Sequence, residues 1–143
     1  MRRVVVLALV LPLLVACGSD QDGYCDAVKD HQQDLSEIVS SGRPDAMLTA
    51  LDIFQDLAEQ APEDVADEWQ QVTSSVEALR KALDDADVDA SSYDRDHPPA
   101  DLTATEKQAI DDAAARVGGA ETLRAIKDLD QEARDVCHTP LSL

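Results

Sequence analysis

Seven residues, Val65, Trp69, Val72, Val76, Leu79, Leu83 and Ala86, follow one another at steps of four and three without a lapse. That alternation is the period of a helix laying one stripe on a core, and it predicts a long helix over 63–86. Trp69 falls on the line and is read as core rather than as a stacking platform for a sugar. Similar spacing places Tyr24, Val28, His31, Leu35 and Ile38 on a helix over 24–40, and Met47, Leu51, Phe54 and Leu57 or Ala58 on another over 44–60. Gly42 and Pro44 separate these two, and Pro62 opens the third helix with Glu63 and Asp64 in its first turn, where negative charge is favoured. Further on, Thr103 with Glu106 has the spacing of a capping box, opening a short helix over 104–117 through Ile110, Ala113, Ala114 and Val117. Gly118 and Gly119 break it, and Leu123, Ile126, Leu129, Ala133 and Val136 define a last helix over 120–137. The tail 138–143 is expected to fray. No segment alternates at period two with β-branched residues, so the expected fold class is all-α.

The first twenty residues stand apart from this pattern. After Met1-Arg2-Arg3 come thirteen uncharged residues, Val4 to Ala16, broken by Pro12. As a helix they would rise about 20 Å, short of the ~30 Å hydrocarbon core of a bilayer. A basic start, a short apolar middle and small residues at the end are the parts of a secretory signal, removed before folding is considered. The run ends Leu14-Val15-Ala16-Cys17, followed by Gly18-Ser19-Asp20. This resembles the bacterial lipobox, which implies a diacylglyceryl group on the Cys17 sulfur and cleavage just before it. The expected organisation is a signal peptide over 1–16, a lipidated Cys17 with a short tether over 17–23, and one helical domain over 24–143. The expected location is the outer face of the cell membrane.

Loss of residues 1–16 leaves 127 residues with 30 acidic and 10 basic side chains, so the net charge moves from −18 to −20. That size suits a single domain with its own core. A field of that sign repels phosphate backbones, so nucleic acid is not an expected partner. Most of the acids are Asp, a mediocre helix former, so the helices must be held chiefly by packing.

With Cys17 assigned to lipid, Cys25 and Cys137 remain, an even pair in an exported chain, and a structural disulfide is the natural reading. Two free thiols, or a metal pair with His31 and His138, are the competing readings, though no C-x-x-C or H-x-x-x-H spacing supports zinc. A disulfide here closes a loop of about 110 residues, for which the chain-entropy account gives roughly 4–5 kcal/mol. It also acts as a ruler, because the two Cα atoms must lie within about 7 Å. The start of the first helix and the end of the last meet in an antiparallel bundle only if the helix count is even. The expectation is therefore an up-down-up-down four-helix bundle of 24–40, 44–60, 63–86 and 120–137, stapled by the disulfide, with 104–117 as one extra short helix across the end away from it.

Motifs that carry chemistry are sparse. The run from Asp85 to Asp96 places Asp85, Asp87, Asp89 and Asp96 at positions 1, 3, 5 and 12 of a calcium loop. However, Ala90 stands where that loop needs Gly, Asp96 replaces its bidentate Glu, and His97-Pro98-Pro99 blocks an exiting helix. These four aspartates are weak metal candidates, and a solvated linker is the simpler reading. No nucleophile elbow, zinc-protease helix, phosphate loop or dinucleotide fingerprint is found. The expectation is neither an enzyme nor a cofactor protein.

The lipobox, the helix start "YCDAVKD", the turn "APEDVADEW" and the terminal "ARDVC" together resemble a group of small actinobacterial all-helical lipoproteins. That resemblance implies envelope residence and a bond between Cys25 and Cys137, and it lends no activity. The expected function is a monomeric, membrane-anchored interaction module presenting an acidic surface to another envelope protein. The alternative is a lipoprotein that binds a small ligand or calcium.

Overall fold

The computed structural model of the protein describes residues 19–143. The signal segment and Cys17 lie outside the described residues. Within them the chain forms a helical bundle of α1 (Ser19–Ser40), α2 (Ala46–Thr49), α3 (Leu51–Gln60), α4 (Ala66–Asp85), α5 (Ala104–Val117) and α6 (Ala120–Val136), with no strand among the described residues.

The uninterrupted stripe belongs to α4, and α4 is the hub: it packs against α2, α3, α5 and α6, while α1 lies on α3 and touches α6 more lightly. Trp69, Val72 and Val76 of α4 meet Tyr24, Val28 and Leu35 of α1, Leu51, Phe54 and Leu57 of α3, and Leu129 and Ala133 of α6 in one buried core. Each large side chain taken fully from water contributes about 1.5–3 kcal/mol, which is what holds these Asp-rich helices. The Phe54 and Trp69 rings lie 6.0 Å apart at 44°. Trp69 Nε1 donates to the Tyr24 hydroxyl at 3.1 Å, so the indole N–H, costly if buried alone, has its partner.

Helix ends follow local chemistry. The capping box is complete: Thr103 Oγ1 accepts from the Glu106 amide at 3.3 Å, and the Glu106 carboxylate accepts from the Thr103 amide at 2.8 Å. Gly42 closes the C-terminal end of α1 in the left-handed region, at φ 63°, where a side chain is disfavoured.

Five expectations are corrected. First, α1 begins at Ser19, so residues 19–23 of the expected tether are helical; Asp22 near the helix start favours this. Second, the helix expected over 44–60 is divided into α2 and α3 at Ala50. Ala50 keeps a right-handed helical conformation, and its carbonyl still accepts from the Phe54 amide at 3.0 Å.

Third, α5 does not lie across the bundle end. Glu106 shares a recess with Ala86 to Val88, and Arg116 shares another with Ser74 and Ser75, so α5 runs antiparallel along the second half of α4. The cause is the α4 stripe itself. Its two leucines, Leu79 and Leu83, extend beyond the main core, and Ile110 and Ala113 are buried on the helix packed there.

Fourth, the start of the α6 stripe is turned by one position, whereas Leu129 and Ala133 face inward as expected. Thr122, Ala125, Leu129 and Ala133 are buried, whereas Leu123 is 55% exposed. Small Ala125 and Ala133 face the core, and Thr122 goes inside because hydrogen-bond partners await it. Fifth, the tail does not fray. Leu141 is fully buried in the core, its amide donates to Asp130 Oδ1 at 3.0 Å, and the Thr139 amide donates to the Ala133 carbonyl at 3.2 Å.

Candidate functional site

Cys25 in the second turn of α1 and Cys137 directly after α6 are joined, with their Cα atoms 5.0 Å apart. Both are buried beside the core. Neither histidine considered as a metal partner joins them. His31 sits at the core edge with Nε2 2.7 Å from Asp56 Oδ2, linking α1 to α3, and His138 is exposed. Around this end of the molecule, burial and the Asp64 and Asp135 carboxylates raise the Glu132 carboxyl above its ordinary value. Burial likewise pushes the Tyr24 phenol up, opposed by its hydrogen bond with Trp69.

The acidic loop after α4 uses its carboxylates on itself. Asp85 accepts two hydrogen bonds from Lys81, at 2.8 and 2.7 Å. Asp89 Oδ1 accepts from the Ser91 amide at 2.8 Å and from its hydroxyl at 2.7 Å. Asp94 accepts from the Asp96 amide at 2.9 Å and lies 3.0 Å from His97 Nδ1. The hydrogen bonds from Ser91 to Asp89, and between His97 and Asp94, hold these two carboxyls below the ordinary range. Asp87 turns the chain at φ 53°. Thus Asp85, Asp87, Asp89 and Asp96 are not brought together, and among the described residues no three His, Cys, Asp or Glu side chains are gathered around a possible metal position. The loop is fastened to α5 by Arg95, whose Nε lies 3.0 Å from Asp111 Oδ1. Lys107 also binds Asp111, at 2.9 Å. The Tyr93 hydroxyl of this loop is buried with no hydrogen-bond partner.

A recess of about 580 Å³ opens where α5 passes into α6 beside α4 and is lined by Gln71, Ser74, Ser75, Arg116, Glu121 and Thr122, with Gly119 and Ala120. Its floor is a polar knot. Ser75 Oγ donates to the Gln71 carbonyl at 2.7 Å, and Thr122 Oγ1 donates to the Arg116 carbonyl at 2.8 Å. With each hydroxyl proton so used, the remaining lone pairs accept from Gln71 Nε2, at 3.2 Å from Ser75 and 3.1 Å from Thr122. Gly119 forms the N-cap of α6 without a side-chain cap. A Cβ there would lie 3.1 Å from the Ala115 and Arg116 carbonyl oxygens, so close passage of the backbone favours glycine.

Sequence reasoning did not find this recess. Its only signals were the Gly-Gly break and the polar residues Gln71 and Ser75 beside the α4 stripe. None of the three histidines lines it, and the Ser75 proton is directed at a carbonyl rather than a base. The arrangement offers hydrogen bonding, not nucleophilic attack.

Most of the cations are matched to nearby acids: Lys29 to Asp26, Arg43 to Asp45, Arg80 to Asp52, Lys81 to Asp85, Arg95 and Lys107 to Asp111, and Arg134 to Asp130. No protein-family model, no curated protein and no solved structure matches the chain.

Proposed function

We propose that this is an extracytoplasmic lipoprotein, anchored through Cys17 after removal of residues 1–16, and that its helical domain is a non-catalytic module presenting an acidic surface to another envelope protein. In this reading α1, α2 with α3, α4 and α6 form an up-down-up-down four-helix bundle to which α5 is added. The domain acts as a monomer, and the chain is of the kind represented by the small actinobacterial lipoproteins it resembles.

The observation that carries the proposal is Leu14-Val15-Ala16-Cys17 at the end of a short apolar run behind Arg2-Arg3. The joined Cys25 and Cys137 give separate support, since such bonds persist outside the reducing cytoplasm. An acidic partner surface is supported by the charge, −20 after cleavage, with most cations already occupied by intramolecular pairs. The Gln71, Ser75 and Thr122 groups in the recess are spent on one another and on backbone carbonyls rather than converging on a ligand as in small-molecule carriers, which favours a protein partner over the alternative of a small ligand or calcium.

The test is fractionation of cells carrying the wild-type chain or Cys17→Ser, with mass analysis of the mature N-terminus. Wild type is expected in the membrane fraction with a diacylglyceryl-modified Cys17. Cys17→Ser is expected either free of the membrane or still carrying residues 1–16. An unmodified chain beginning at Met1 overturns the anchor. Cross-linking in intact envelopes, comparing the lipidated protein with a version starting at Gly18, then reports the partner, and association through an acidic face should weaken as salt rises.

A further inference from the structure

We infer that the disulfide end of the bundle is the face turned toward the lipid surface, so that the domain stands directly on the bilayer with α1 rising away from it. The inference rests on the anchor proposed above. Only Gly18 separates Cys17 from Ser19, the first residue of α1. Two residue steps span at most about 7 Å, so the acyl-bearing residue cannot be far from the start of α1. The 22 residues of α1 then rise about 33 Å.

What gathers at the start of α1 is fixed by contacts already described. Tyr24 meets Trp69 near the beginning of α4, and Cys25 meets Cys137 at the end of α6. At the opposite end stand the Gly42 turn after α1 and the loop after α4. A leash of a dozen flexible residues would leave orientation free; a helix starting two residues after the anchor does not.

The lipid-facing end is also acidic. Asp22, Asp26, Glu63, Asp64 and Asp135 are exposed, and Glu132 is half-buried. Lys29 is engaged with Asp26 at 3.3 Å. Anionic headgroups within a Debye length, about 8 Å at physiological salt, would therefore repel it. Attachment comes from the acyl chains, not from headgroup attraction, and the surface that fits this end is a zwitterionic one.

The experiment uses the full lipidated protein in phosphatidylcholine vesicles containing a gadolinium-chelate headgroup lipid. A trifluoromethyl tag is placed on a single cysteine introduced at Gln60→Cys, near the disulfide end, or at Ser92→Cys, in the distal loop. Flotation is measured first, and intact mass verifies that the native disulfide is retained. The fluorine signal is expected to be lost by paramagnetic broadening at position 60 and retained at position 92. Equal loss at both positions, or loss only at 92, overturns the orientation while the anchor stands. Failure of the protein to float with the vesicles overturns the anchor reading and the orientation with it.

Discussion

Two adjacent glycines show how differently one residue type can be used. Gly118 has φ −83° and ψ 2°, open to any residue, and a Cβ there would meet only the Ala114 carbonyl at 3.7 Å. Gly119 has an ordinary extended conformation but no space. Gly118→Ala should therefore be neutral or stabilising by ~0.4–1 kcal/mol through the unfolded chain. Gly119→Ala should cost about 1–3 kcal/mol, as overpacking does. Urea unfolding of the two variants checks this, and equal midpoints would refute the close-passage account. Glu132 supplies a pH-dependent case. Its carboxyl is raised in the fold by burial and by Asp64 and Asp135, so its favourable contribution exists below its unfolded value and is lost as pH rises through the folded one. Glu132→Gln is thus expected to raise the melting temperature at about pH 7 and to leave it unchanged at about pH 3. A variant no more stable than wild type at neutral pH would contradict the assignment.

At the scale of elements, what could be read from the chain was what periodicity and capping encode. The α4 stripe, the Thr103 and Glu106 box and the Gly-Gly break place α4, α5 and α6 within a few residues of their observed bounds. The phase at the start of α6 was not readable, because apolar Leu123 argues for one face while the partners of Thr122 argue for another. The Thr122 hydroxyl accepts from Gln71, some fifty positions earlier, and no local pattern carries such a pairing. The recess above this knot was hidden for the same reason. Since Thr122 joins the last turn of α5, α4 and the first turn of α6, Thr122→Val keeps the shape and removes two hydrogen bonds. Its expected cost is about 1–3 kcal/mol, from polar groups left without partners. A double-mutant cycle with Ser75→Ala checks it, because coupled sites depart from additivity; strict additivity would argue against a shared network.

For the whole molecule, the disulfide ties α1 to α6 where those helices otherwise touch lightly. Cys25→Ser with Cys137→Ser is expected to lower stability by about 2–5 kcal/mol. Helix content should survive, since α1 remains packed on α3 through the core and the His31 and Asp56 contact. Circular dichroism with chemical denaturation reads both quantities, and an unchanged midpoint would show that the bond adds nothing. The even helix count needed for this closure followed from the two cysteines, whereas the docking of Leu141 depends on a tail too short to show a period. That docking has a practical consequence: the tail turns back along α6 to Asp130, so a reporter protein fused after Leu143 would load a segment packed against the core and strain the seat of Leu141. An epitope grafted between the exposed Ser91 and Ser92 would instead leave the core untouched at the pole away from the disulfide, where an antibody could reach it.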